Sequence, residues 1–214
     1  GIVSFFDLSQ KTEEILNGQT GISVSYYETL ENAESDENPI EGLYTNIELD
    51  TQTLYVRLEV DETGCYATTT QDLIVNPIPT VLVGPAYEVC DDDYDGIGSY
   101  DLSTLDETLL DGQTGVSISY YESQEDADNA TNVLDVNYQN TVPDNQTLYV
   151  RLEVDETGCY ATTTQELIVH PLPEIIVPTP LEECDDDYDG IVSFFDLSQK
   201  TEEILNGQTG ISVS

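Results

Sequence analysis

Two kinds of residue in this sequence have chemistry to offer: a repeated acidic run and repeated cysteines. Asp91-Asp92-Asp93-Tyr94-Asp95-Gly96 reads D-x-D-x-D-G, and Asp185 to Gly190 repeats it. Carboxylates at alternate positions of a tightly turning loop converge on one cation, and glycine in sixth place permits the sharp turn. This is the opening of a calcium loop. Asp91, Asp93 and Asp95 would supply side-chain oxygens, as would Asp185, Asp187 and Asp189 in the second copy. Position seven, a backbone carbonyl, falls on Ile97 or Ile191, and Asp101 and Asp196 stand where a side chain would close each loop. Neither is the glutamate of an EF-hand, and no clear helix precedes the run. The expectation is a Ca2+ loop on a β scaffold, with the ion serving stability and stiffness. The alternative is a solvated acidic turn in a chain acidic throughout.

The four cysteines also recur in pairs: Cys65 and Cys159 follow a D-E-T-G turn, while Cys90 and Cys184 precede the acidic run. Repeated even numbers point to disulfides in an oxidising compartment. The preferred pairing joins Cys90 to Cys159 within one domain, leaving Cys65 and Cys184 to partners outside the sequence. The other pairing, Cys65 with Cys90 and Cys159 with Cys184, staples neighbouring domains across a proline linker. With no C-x-x-C and no Cys/His cluster, a zinc tetrad is not expected.

The elements that must hold these residues are themselves repeated. Residues 1–25 recur letter for letter at 190–214, and the acidic run and the T-L-Y-V-R-L-E-V segment each recur after 94 residues. Two slightly different units of about 94 residues therefore alternate, which is the signature of a tandem array. Leu54 to Val60 and Leu148 to Val154 alternate apolar and polar side chains, as half-buried strands do. Arg57 and Arg151 are expected on the outward face in surface ion pairs. Asp61 to Gly64 supplies a hairpin turn, and Cys65 to Val75 the return strand. Further strands are expected at Ile22–Tyr26 and Val116–Tyr120, each ending in tandem tyrosines of which one fills the core and one covers an edge. Short helices are expected at Ser103–Leu110, with a serine N-cap, and near Glu122–Asp128. Proline pairs at Pro77/Pro79 and Pro171/Pro173 mark boundaries. The fold class is all-β: tandem immunoglobulin-like β-sandwich repeats with short helical insertions, without the antibody tryptophan or cysteine spacing. The expected domains are a partial repeat at 1–76, a complete one at 77–171 and a partial one at 172–214.

Charge and composition narrow the function. Four Lys and Arg against 44 Asp and Glu give a net charge of −40, which repels phosphate backbones and anionic lipid. Yet 38% of the residues are hydrophobic and 14 are tyrosine, in alternating runs that can fill a core, so the acidity does not signal disorder. No apolar run approaches a membrane span of about 20 residues. His170, the single histidine, lies beside a linker proline and has no catalytic setting. An enzyme is not expected.

The cadence CDDDYDGIGSYDLSTL … GQTGVSISYYES … QTLYVRLEVDETGCYATTTQELIVHPLP resembles repeats in giant surface proteins of gliding Bacteroidota, including SprB-like motility adhesins and other proteins with a gliding-motility-type sorting domain. The likeness covers the whole chain. It implies type IX secretion, an extracellular place on the bacterial surface, and a role in adhesion or gliding. The expected function is a stalk or filament segment of such an adhesin, stiffened by calcium and disulfides. Its partners would be neighbouring repeats, with lateral self-association or surface polysaccharide as further possibilities. The alternatives are repeats that are themselves weak multivalent carbohydrate- or partner-binding modules, or spacers in a large surface enzyme.

Overall fold

The computed structural model describes residues 5–185, 189–192 and 194–214. Two compact units are present. One contains the residues up to Thr80 with Gln113–Ser117 and Leu152–Ala161; the other contains Val81–Gly112, Ile118–Arg151 and Thr162–Ser214.

In the first repeat, strands β1 (Phe6–Asp7) and β3 (Leu43–Tyr44) pair antiparallel, and β2 (Ile22–Tyr27), β4 (Thr51–Val60) and β5 (Tyr66–Ile74) form a three-stranded sheet in the order β2-β4-β5. The β4–β5 hairpin forms as the alternation requires, with Val60 N–H donating to the Cys65 carbonyl at its tip (2.9 Å). One face of the larger sheet presents Leu54, Val56, Tyr26 and Leu73 to Leu8 and Tyr44, and these six residues form a buried cluster. Each large aliphatic chain buried there contributes roughly 1.5–3 kcal/mol.

The second repeat carries β6 (Tyr87–Cys90), β7 (Ser99–Asp101), β8 (Val116–Tyr121), β9 (Asn137–Gln139), β10 (Asn145–Val154) and β11 (Tyr160–His170). Its main sheet has the order β6-β11-β10-β8, and β7 pairs with β9. β6 runs parallel to β11, so that Tyr87 faces Leu167 and Cys90 faces His170. The fold is all-β and sandwich-like, as the strand pattern predicts.

Helices are short: α1 (Ser9–Leu16), α2 (Leu30–Ser35), α3 (Asp106–Leu110), α4 (Gln124–Asn129) and α5 (Thr201–Leu205), with 3-10 turns at Leu102–Leu105 and Leu197–Lys200. No helix among the described residues is long and apolar enough to cross a membrane. Ser123 caps α4 by accepting from Asp126 N–H (3.1 Å), and Thr29 does the same for α2 through Asn32 N–H (3.2 Å).

Two expectations about strand faces need correction. Arg57 keeps the expected ion pair, with Glu59, but Arg57 and Arg151 are buried, each only 7% exposed. On the strand face opposite the aliphatic core, Arg151 Nη1 donates to the carbonyls of Ala127 (2.9 Å) and Asp128 (3.1 Å) at the C-terminal end of α4. Arg57 does the same for Ala33 and Glu34 at the end of α2, and its guanidinium lies 3.5 Å over the Tyr66 ring. A fork of donors thus satisfies the carbonyls that every helix leaves orphaned. The tandem tyrosines are all buried as well, so neither member of a pair covers an open edge. Successive residues face opposite sides of a strand, and both sides are covered here. Tyr26 Oη donates to the Leu8 carbonyl (3.0 Å), while Tyr27 Oη donates to Asp36 beyond α2 (2.5 Å).

Candidate calcium loop and the cysteine positions

The acidic run follows β6 directly and is organised by its first residue. Asp91 is buried; its Oδ1 accepts from the N–H groups of Asp93 (3.1 Å) and Tyr94 (3.0 Å), and its Oδ2 from Gly96 N–H (3.0 Å). Burial pushes this carboxyl up, but the ring of backbone donors outweighs it and holds the group below its ordinary value. The turn needs positive φ at Tyr94 (70°) and Gly96 (75°). At Gly96 a β-carbon would stand 2.8 Å from an Asp144 carboxylate oxygen and 3.1 Å from that residue's backbone nitrogen, so the sixth position is closed to side chains.

Carboxylate oxygens of Asp91, Asp93 and Asp95 all lie within 4.8 Å of one another. Partial desolvation, and then the neighbouring Asp95 carboxylate, push Asp93 up. A cation placed among the three would relieve that repulsion, and three convergent oxygens suit a hard ion. Asp95 Oδ1 accepts from Ile97 N–H (2.7 Å), which aligns the start of the next segment. In the third repeat Gly190 N–H donates to Asp185 (2.9 Å) and Ile191 N–H to Asp189 (2.7 Å), so these two bonds recur there. Asp187 lies outside the described residues.

The expected closing ligands stand elsewhere. Asp101 accepts from Ser103 N–H (3.2 Å) and Ser103 Oγ (2.6 Å), and is therefore the N-cap of the 3-10 turn assigned in sequence to a serine cap. Asp196 makes the same pair of bonds with Ser198, which hold its carboxyl below the ordinary value. Among the described residues the carboxylate cluster comprises Asp91, Asp93 and Asp95, without Asp101.

Two residues that sequence reasoning passed over fix the loop in place. Buried Asn140 accepts from Gly98 N–H (2.6 Å) and donates to the carbonyls of Gly96 (2.9 Å) and Val142 (2.8 Å). Its recurrence as buried Asn46, bonded to the Glu48 carbonyl (2.7 Å), was the available signal. Tyr94 reaches the outgoing linker, its Oη donating to the Pro173 carbonyl (3.0 Å).

The cysteines are not where the preferred pairing needs them. Cys90 is in register with His170, the last residue of β11, whereas Cys159 immediately precedes Tyr160, the first. The intervening strand is roughly 36 Å long at about 3.3 Å per residue, and a disulfide needs Cα atoms within about 7 Å. A Cys90–Cys159 bond within one domain is excluded by this register. Cys65, Cys90 and Cys184 are exposed and Cys159 half-buried, and none is bonded to another.

Cysteines at opposite ends of a sandwich, in units that repeat, leave bonding between domains as the arrangement to look for. The family described as the Flavobacterium inter-domain disulphide bond domain matches residues 1–79 and again 86–173. The chain belongs to this family. Two consecutive inter-domain disulphide bond domains thus occupy most of the sequence, each bringing its own tip cysteine after a D-E-T-G turn. No curated protein matches the chain.

Proposed function

We propose that this chain is a load-bearing segment of an extracellular bacterial stalk or filament. Its tandem sandwiches project an adhesive or motility function from the cell surface, and they are tied to one another by disulfides. The observation that carries the reading is the tandem pair of matches to a domain family defined by a bond between domains. Verbatim repetition and a net charge of −40 fit the same role, since like-charged units resist collapse onto one another. The resemblance to surface repeats of gliding Bacteroidota supplies adhesion or gliding as the setting and type IX secretion as the route. The role is structural and not catalytic. Repeats at 77–171 and its neighbours are the building units, and neighbouring repeats the primary partners.

Calcium is the second element of the proposal: Asp91, Asp93 and Asp95 hold one ion per repeat and stiffen the loop from which Tyr94 grips the linker. The rival reading, in which each repeat binds carbohydrate, would draw on aromatic side chains shared by both units; the tandem tyrosines are buried, which leaves exposed Tyr66 and its counterpart Tyr160 for that role. Labelling intact cells of the producing bacterium with an antibody raised against residues 77–171 tests the surface assignment. Labelling without permeabilisation is expected, and labelling only after lysis would overturn it.

A further inference from the structure

Resting on the inter-domain disulfide just proposed, we infer its connectivity: the acidic-run cysteine of one repeat bonds to the hairpin-tip cysteine of the repeat that follows. Cys90 therefore reaches forward along the chain, and Cys159 backward.

The two cysteine positions mark opposite ends of a repeat. Cys90 belongs to the end from which the chain departs: it faces His170, and Asp91 N–H donates to the His170 carbonyl (2.8 Å). Cys159 belongs to the end at which the chain arrives. Beside it in the hairpin turn, Asp155 N–H donates to the Gly115 carbonyl (2.9 Å). Two residues earlier, Gln113 exchanges a pair of hydrogen bonds with the backbone of Thr80 (2.8 and 2.9 Å), in the linker that leads in from the first repeat. The tip segment Leu152–Ala161 accordingly falls in the same compact unit as the residues up to Thr80.

The next junction is built in the same way. Glu174, four residues past His170, makes the identical pair of bonds with Gln208 (2.8 and 2.9 Å), the counterpart of Gln113 in the third repeat. Four residues span at most roughly 14 Å. The turn that adjoins a hairpin tip is thus delivered just beyond the end that carries Cys90, and Tyr94 holds the linker there through Pro173. Bonding Cys90 backward to Cys65 would instead require a partner from the preceding repeat to extend along the roughly 36 Å of β11. Each of the four cysteines then has its partner cysteine outside these 214 residues, consistent with four unbonded thiols here. Each bond forms as two thiols give up two protons and two electrons to a disulfide-bearing oxidant, whose own S–S bond is reduced to two thiols.

The test uses the chain lengthened by one junction. Because residues 190–214 reproduce 1–25, continuing from Ser214 with a second copy of residues 26–76 completes the third repeat and supplies its tip cysteine, a second copy of Cys65. After oxidation with oxidised glutathione, peptide mapping without reduction is expected to link Cys90 to that second copy. Cys90→Ser should abolish the cross-link, and Cys65→Ser in the original copy should leave it intact. A link from Cys90 to the original Cys65 overturns the connectivity while leaving an inter-domain bond in place. Cysteines that stay reduced, or a Cys90–Cys159 link, overturn both.

Discussion

At the scale of single residues, the acidic loop sets two titrations against each other. Asp91 is held below its ordinary value by backbone donors that outweigh its burial. Its contribution to stability is therefore present above about pH 3.9 and lost as pH falls through its folded pKa. Asp93 is raised, first by partial desolvation and then by Asp95. Its contribution is present below about pH 3.9 and lost as pH rises through the raised value, because its charge is unwelcome in a loop without a counter-ion. The calcium proposal turns this opposition into an experiment on one substitution. In excess chelator at pH 7, Asp93→Asn is expected to raise the melting temperature by about 2–5 °C. In millimolar calcium the same substitution should lower it relative to the parent chain, because a ligand is lost. Thermal unfolding under the two conditions at fixed ionic strength checks this, and a substitution effect of one sign in both would reduce the loop to a solvated turn.

At the scale of elements, the buried arginines tie helices to sheets. Arg151 leaves β10 and ends on the last carbonyls of α4, so removing it leaves two helix carbonyls without their donor. Arg151→Met is expected to destabilise the repeat by about 2–4 kcal/mol, measured by urea unfolding. A change within about 0.5 kcal/mol would return the arginine to the status of a surface group. The strands were readily legible in the sequence, because the period of two over T-L-Y-V-R-L-E-V suits a pleated strand and clashes with a helical repeat. The same alternation put the arginines on an outward face, since it does not show that α2 or α4 covers that face; the covering depends on chain some 24 residues away. The acidic loop was legible from its spacing and glycine. Its closing ligand was not, since Asp101 and Asp196 read equally well as loop ligands until Ser103 and Ser198 claim them. The error in the disulfide had a similar origin. Only the parallel pairing of β6 with β11, across 80 residues of sequence, puts Cys90 at the far end from Cys159.

At the scale of the whole molecule, local features converge on the junctions between repeats. The Gln113–Thr80 and Gln208–Glu174 bonds, Tyr94 on Pro173 and the ends marked by the cysteines all bear on where one domain hands over to the next. On the proposed reading, a covalent bond at each junction would limit hinge motion and let a long acidic array carry load, and calcium in the loop beside it would set the local stiffness. All of this rests on cysteines of different repeats being bonded to one another in the native protein. The direct measurement is mass spectrometry of the full-length protein taken from intact cells, with free thiols alkylated before any reduction. Cysteines at both repeat positions are expected to escape alkylation and to appear in peptides joined across repeats. Quantitative alkylation at both positions, or bonds confined within single repeats, would contradict it.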